Sequence, residues 1–341
     1  MSLRIHKHML RWTVKLMNIM NIVLSEKLLF TGILVCGLAG LPSPAPAAPR
    51  KVLVVTVTTG FRHSSIPTAE KVLAELGKES RAFTVEYARV EPNDAQFKGP
   101  DGKPDKEKVE AAIKAVLAEK MSPAALKHYD AIIFANTTGD LPLPDKQAFL
   151  DWIKSGKGFV GMHSATDTFH GFQPYIEMLG AEFKTHGAQV EVDAINQDQE
   201  CPACRHLPAN WKVFDEIYQF KNFDRTKVHG LLTLDKHPND KTPGDYPVSW
   251  CKGYGGNLTE APGNGAALLM QKYWPRKPGR VFYTSLGHRE DVWDPSWKDR
   301  KNPKEVAEAY QAHILGGIKW ALGLQKCSAR PQMGACCQPG K

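Results

Sequence analysis

Three histidines follow runs that read as strands, and small polar residues accompany each of them. His163 closes Gly158-Phe159-Val160-Gly161-Met162 and is followed by Ser164 and Asp167. His63 lies just beyond Lys51–Val57, with Phe61 and Arg62 before it and Ser64 and Ser65 after it. His288 lies just beyond Gly279–Thr284, between Ser285 and Arg289. An imidazole titrates near neutrality, so it can move protons at working pH. His163 is the expected general acid or base, with Asp167 orienting it. His288 is the second proton-transfer group, and Arg62 or Arg289 is available to hold an oxyanion. The same residue types can hold a metal. His63, His163, His186 and His288, with Asp167 or Glu216, could supply three protein ligands and leave the open position of a catalytic zinc or other divalent ion. No His-x-x-x-His or His-Glu-x-x-His spacing occurs, so only the fold could assemble that set. A lone buried histidine is ordinarily a core residue with a satisfied hydrogen bond. Recurrence at three strand exits is what favours a site.

The elements that must position these residues alternate. Lys51–Val57 is a β-branched run, and Pro67 then sits where a helix begins. Phe83–Tyr87, Tyr129–Ala135 and Phe159–Met162 read as further strands, separated by helical patterns at Lys108–Lys120 and Pro144–Ser155. Strands alternating with helices predict a doubly wound α/β sheet, mostly parallel, whose ligands lie beyond the carboxyl ends of the strands. The second half is denser in strands, with runs at 189–194, 211–220, 228–235, 246–251, 266–270 and 279–284, a glycine-rich loop at 252–264 and a closing helix at 304–322. The first strand-loop-helix lacks the Gly-x-Gly-x-x-Gly fingerprint, so neither a nicotinamide nor a flavin cofactor is expected.

The net charge of +8 suggests a nucleic-acid partner at first sight. Much of it lies near the two ends, and no basic stripe with interleaved aromatics is present, so none is expected. Residues 1–49 read as a signal peptide followed by a Pro/Ala-rich processing segment. A basic stretch precedes the apolar run Leu28–Leu41, and Ala45-Pro46-Ala47 offers a small-x-small cleavage site. The apolar run falls short of the roughly 20 residues that span a bilayer. The mature protein is therefore expected to be exported, periplasmic or extracellular, with no stable membrane span. Export makes disulfides the default for cysteine. Cys201-Pro202-Ala203-Cys204 is a close pair, expected as a local disulfide or half of a metal site. Arg205 intervenes before His206 and argues against haem attachment. Residues 326–341, with Cys327, Cys336 and Cys337, read as a disordered tail.

These motifs, in order, resemble the ThuA-like (trehalose-utilisation) family. They are Gly60-Phe61-Arg62-His63, the Gly158–Asp167 stretch, His206-Leu207-Pro208, Asp215-Glu216-Ile217-Tyr218, Pro247-Val248-Ser249-Trp250 and Gly279–His288. The match spans roughly Val52 to Leu324, so residues 50–325 form the expected domain. The resemblance implies a class I glutamine amidotransferase-like, flavodoxin-like three-layer fold and a role in carbohydrate metabolism, often with keto sugars. It points to a small carbohydrate ligand. His63 and Glu216 are polar contacts, and Phe61, Tyr218 and Trp250 are candidate stacking surfaces. Amidotransferases carry a nucleophilic cysteine at the strand-to-helix turn. Here Gly161-Met162-His163-Ser164-Ala165 takes that place, so glutaminase activity is not expected. Enolisation, isomerisation or hydrolysis of a keto sugar by paired histidines is one reading. A zinc-type hydrolase and a non-catalytic sugar-binding protein are the others.

Overall fold

The computed structural model describes residues 48–255 and 277–331. The signal segment, most of the 252–264 loop, the strand expected at 266–270, Cys336 and Cys337 lie outside the described residues.

The nine-stranded sheet runs β2-β1-β3-β4-β11-β10-β9-β6-β7. Its first part is parallel: β1 (Arg50–Val55), β2 (Phe83–Ala88), β3 (Ala131–Ala135), β4 (Gly158–Met162) and β11 (Gly279–Thr284). Read in sequence order, that is the 2-1-3-4-5 arrangement of flavodoxin-like sheets. From β11 outward the pairing becomes antiparallel, through β10 (Pro243–Tyr254), β9 (His229–Lys236), β6 (Val190–Asn196) and β7 (Asn210–Asp215). A small second sheet pairs β5 (Glu182–His186) with β8 (Tyr218–Lys221).

The continuous apolar strands follow from burial on both faces. Val52 and Val54 of β1 enter one core with Val160 of β4 and Phe282 of β11. Leu53 and Val55 enter the other with Phe159 and Tyr283. The first core is closed by helices α1 (Ile66–Ser80) and α7 (Lys304–Ala321), through Val72, Leu73, Tyr310 and Ile314. The second is closed by α2 (Lys106–Lys120), α4 (Lys146–Lys154) and α5 (Gln173–Leu179), through Ile113, Leu117, Phe149 and Leu179. Short helices α3 (Pro123–Leu126) and α6 (Glu290–Trp293) complete the chain order. Helices thus cover both faces, giving the expected three layers. No helix among the described residues is long and apolar enough to cross a membrane.

Two cysteine expectations need correction. Cys201 bonds to Cys327, not to Cys204, with Cα atoms 5.0 Å apart. Cys204 remains a buried thiol. The turn from Cys201 to Cys204 closes with a backbone hydrogen bond of 2.8 Å, and the Cys204 sulfur faces the Leu231 carbonyl. Of the tail expected to be disordered, the described residues 326–331 are tied to the domain. Cys327 is bridged, its carbonyl accepts from Trp320 Nε1, and the Arg330 carbonyl lies 2.8 Å from His229 Nδ1.

Candidate functional site

Strand exits assemble the site. The β1 exit loop carries His63, β4 ends at His163, and the loop after β11 carries His288. Glu216 stands where the chain leaves β7 for β8. One donor atom from each of His63, His163, His288 and Glu216 lies within 4.8 Å of all the others. His63 Nε2 and His163 Nε2 are 3.2 Å apart. Glu216 Oε2 is 3.7 Å from His163 Nε2 and 3.2 Å from His288 Nδ1. The His288–Glu216 approach is an ion pair whose angles depart from those of a well-aligned hydrogen bond.

Local structure holds each group. His163 has φ 47°, the left-handed region, at the sharp turn where the chain leaves β4. A non-glycine residue there costs about 1 kcal/mol or more, so the surroundings must impose it. Its Nδ1 lies 2.7 Å from the Ser285 carbonyl. That carbonyl can only accept, so Nδ1 carries the proton and Nε2 turns a lone pair inward. Ser164 Oγ lies 3.4 Å from His63 Nδ1. Glu216 Oε1 is 3.1 Å from His186 Nδ1, which β5–β8 pairing brings alongside Tyr218. The Tyr218 ring packs 4.4 Å from the His163 ring.

Burial and like neighbours set the charges. Burial, then the nearby His288, lowers His63 to about 4. Burial, then His63 and His288, holds His163 well below the usual range. Burial also presses on His288, but the Glu216 carboxylate outweighs it and the net shift is upward. Two imidazoles that burial makes weaker bases therefore stand beside one that Glu216 makes a stronger base. His163 and His63 are buried, whereas the His288 side chain is 22% exposed. Phe61, 66% exposed, sets its ring edge-on to His63 at 4.9 Å, beside the site.

Several sequence-expected residues go elsewhere. Asp167 does not orient His163; the Ser285 carbonyl does. The Asp167 carboxylate pairs with His170 instead. His186 backs Glu216 and is not among the four converging donors; Glu216 takes the place expected of it. Arg62 is committed to Glu91 at 2.8 Å and to the Thr56 carbonyl, and lines a separate cavity of about 670 Å³ with Arg89 and Phe97. None of the four donors lines that cavity. Arg289 bonds Asp291 and Gln189 and lies over Phe214. Trp250 is fully buried, donates to the Leu179 carbonyl and packs on Tyr283, so it is core and not a stacking surface.

Two positioning residues were not anticipated. Buried Asp215 accepts from Gly287 N at 2.7 Å and Arg289 N at 3.2 Å, which fixes the loop carrying His288. Burial raises its carboxyl to about 6 despite those donors. Asn136, at the β3 exit with φ 56°, donates to Ser65 Oγ at 2.9 Å and to the Gly287 carbonyl at 3.0 Å. It ties three strand exits together. Gly287 itself has φ 116°, and a Cβ there would meet the Tyr310 hydroxyl at 2.8 Å. The signals were present: Asp215 ends an alternating strand on its inward side, and Asn136 follows β3 as His163 follows β4.

The parallel 2-1-3-4-5 sheet, with helices on both faces and polar residues massed at its strand exits, defines a flavodoxin-like α/β protein. The chain belongs to the ThuA (trehalose utilisation) family, whose model matches residues 51–321. It is similar in fold to a ThuA-like protein of Bacteroides uniformis, at 18% identity over 83% of this chain and 95% of that one, with a TM-score of 0.52. A ThuA-like protein of Parabacteroides merdae is similar at 17% identity, over 82% and 93%, with a TM-score of 0.53. No curated protein matches the chain.

Proposed function

We propose that this protein is a divalent-cation-dependent enzyme acting on a sugar or keto-sugar derivative, exported to the periplasm or beyond. The observation that carries the metal reading is the convergence of three imidazoles and one carboxylate from four separate strand exits. The spacing fits one ion. Nitrogens bound tetrahedrally at about 2.0–2.1 Å stand roughly 3.3 Å apart, against 3.2 Å for His63 and His163. Ligands of resident metals carry partners behind them. Here the Ser285 carbonyl stands behind His163, Ser164 beside His63, and His186 behind Glu216. His288 Nδ1, 3.2 Å from Glu216 Oε2 and poorly aligned with it, is the remaining nitrogen that a cation between them would take. A bound divalent ion supplies polarisation of a carbonyl or hydroxyl oxygen. The sugar class rests on family membership, supported by the exposed Phe61 ring at the site's edge.

One observation favours a second reading without metal. The same burial that neutralises His63 and His163 leaves His288 favouring its proton, which sets a base beside an acid. Metal analysis of the purified protein, after exposure to zinc, manganese and cobalt salts and dialysis, decides between them. Stoichiometric metal that is lost in His163→Ala is expected. Metal-free protein that turns over keto sugars, insensitive to chelator, would overturn the first reading in favour of the second.

A further inference from the structure

Far from the strand exits, β9 and the segment after α7 meet the Cys201–Cys204 turn, and a second set of ligand-type atoms gathers there. Asp198 Oδ1 accepts from the backbone of Glu200 and Cys201, which leaves Oδ2 facing inward. Oδ2 lies 2.7 Å from His229 Nε2 and 3.8 Å from Cys327 Sγ. The three atoms lie within 4.8 Å of one another, and Cys201 Sγ is bonded to Cys327 Sγ. His229 is buried, and its Nδ1 lies 2.8 Å from the Arg330 carbonyl. A neutral ring has one N–H. Spent on that carbonyl, it leaves an Nε2 lone pair against a carboxylate, an arrangement that a shared cation, proton or metal, satisfies. An imidazole, a carboxylate and the Cys327 sulfur, with the Cys201 sulfur bonded to that sulfur, are a zinc-type donor set, for which a sulfur and an oxygen on one tetrahedral ion stand roughly 3.5 Å apart.

We propose that reduction of the Cys201–Cys327 disulfide turns this corner into a four-ligand site for a thiophilic divalent cation, held by Cys201 Sγ, Cys327 Sγ, His229 Nε2 and Asp198 Oδ2. A dithiol reductant gives two electrons and two protons to the disulfide, yielding two thiols and its own cyclic disulfide. Metal binding then releases the two thiol protons. In either state a bridge pins residue 327 to residue 201; only the reduced, metal-free chain lacks one. Cys204 and Cys251 stay outside the set, since their sulfurs face the Leu231 and Ser328 carbonyls.

The test uses the full chain with Cys36→Ser, Cys336→Ser and Cys337→Ser, which leaves the buried Cys204 and Cys251 as the only thiols outside the set. Bound cadmium is counted by equilibrium dialysis on oxidised and reduced protein, and thiolate-to-metal absorption is recorded. One further equivalent after reduction, with that absorption band, is expected. It should disappear in Cys201→Ser/Cys327→Ser, weaken at least about tenfold in His229→Ala, and persist in His163→Ala. Persistence in His163→Ala separates this corner from the strand-exit cluster. No further equivalent, or one that survives Cys201→Ser/Cys327→Ser, would overturn the proposal. If reduction unfolds the chain, recovery of the folded signal on adding cadmium supports it, and failure to recover overturns it.

Discussion

His163 and His313 look alike until their second ring nitrogens are compared. Both are fully buried, both set Nδ1 2.7 Å from a backbone carbonyl, and burial depresses both. His313 sits on α7 inside the core, where its Nε2 meets the Ser249 hydroxyl at 3.2 Å and finds ordinary satisfaction. His163 Nε2 meets another imidazole nitrogen and a carboxylate. Burial and a depressed pKa therefore do not distinguish a site from a core. What distinguishes them is whether the inward nitrogen is already satisfied.

The largest expected effect tests that contrast directly. His163→Ala should cut affinity for a divalent ion by at least about 100-fold, more than the loss of an outer partner, while His313→Gln leaves metal content unchanged. Equal metal loss in both variants, measured by elemental analysis, would erase the distinction. Next comes the loop behind His288. Asp215→Asn leaves a backbone N–H without its carboxylate, so it should cost about 1–3 kcal/mol of stability by urea titration. It should also weaken metal binding about tenfold. An unchanged binding isotherm in a folded Asp215→Asn protein would remove Asp215 as a positioning residue.

Acid should expose the shared feature. His63 and His313 both fall from 6.5 to about 4 in the folded protein. Between those values the unfolded chain binds protons that the folded chain refuses, so stability is lost as pH falls through that window. Each contributes up to about 1.4 kcal/mol per pH unit. His288 has the opposite sign: its pKa is raised, so its contribution is present at low pH and is lost as pH rises through the folded value. Urea titrations from pH 7 to pH 4 should show a flatter acid slope in both His63→Gln and His313→Gln; an unchanged slope in either contradicts its assignment. Smallest, Phe61→Ala should raise KM about three- to tenfold with little change in kcat, as loss of one stacking surface does. A fall in kcat alone would move Phe61 from binding to the chemistry.

The strand exits were legible because a histidine closing an apolar run in a parallel sheet has one place to go. The helix and strand alternation was readable too, and it predicts a mostly parallel doubly wound sheet without fixing the 2-1-3-4-5 order. Asp167 misled because its turn is a 3-10 helix, His163–Asp167. At three residues per turn, four steps leave Asp167 about 120° away from His163. Arg62 and Arg289 misled because a long side chain reaches well beyond its backbone, here to Glu91 and to Gln189. The Cys201–Cys327 pairing has a sequence separation of 126, and spacing alone cannot select it over a neighbour three residues away.

Glu216 enters the site from the antiparallel part of the sheet, while His63, His163 and His288 enter from the parallel part. The cluster is thus a product of strongly non-local contacts, the kind whose loop-closure cost slows folding. A fragment ending before β11 lacks His288, and one beginning after β1 lacks the strand that aims His63. A polypeptide clipped before His288, or lacking the strand that aims His63, therefore cannot bring all four donors together, and any ligand that needs the full set reports an intact domain.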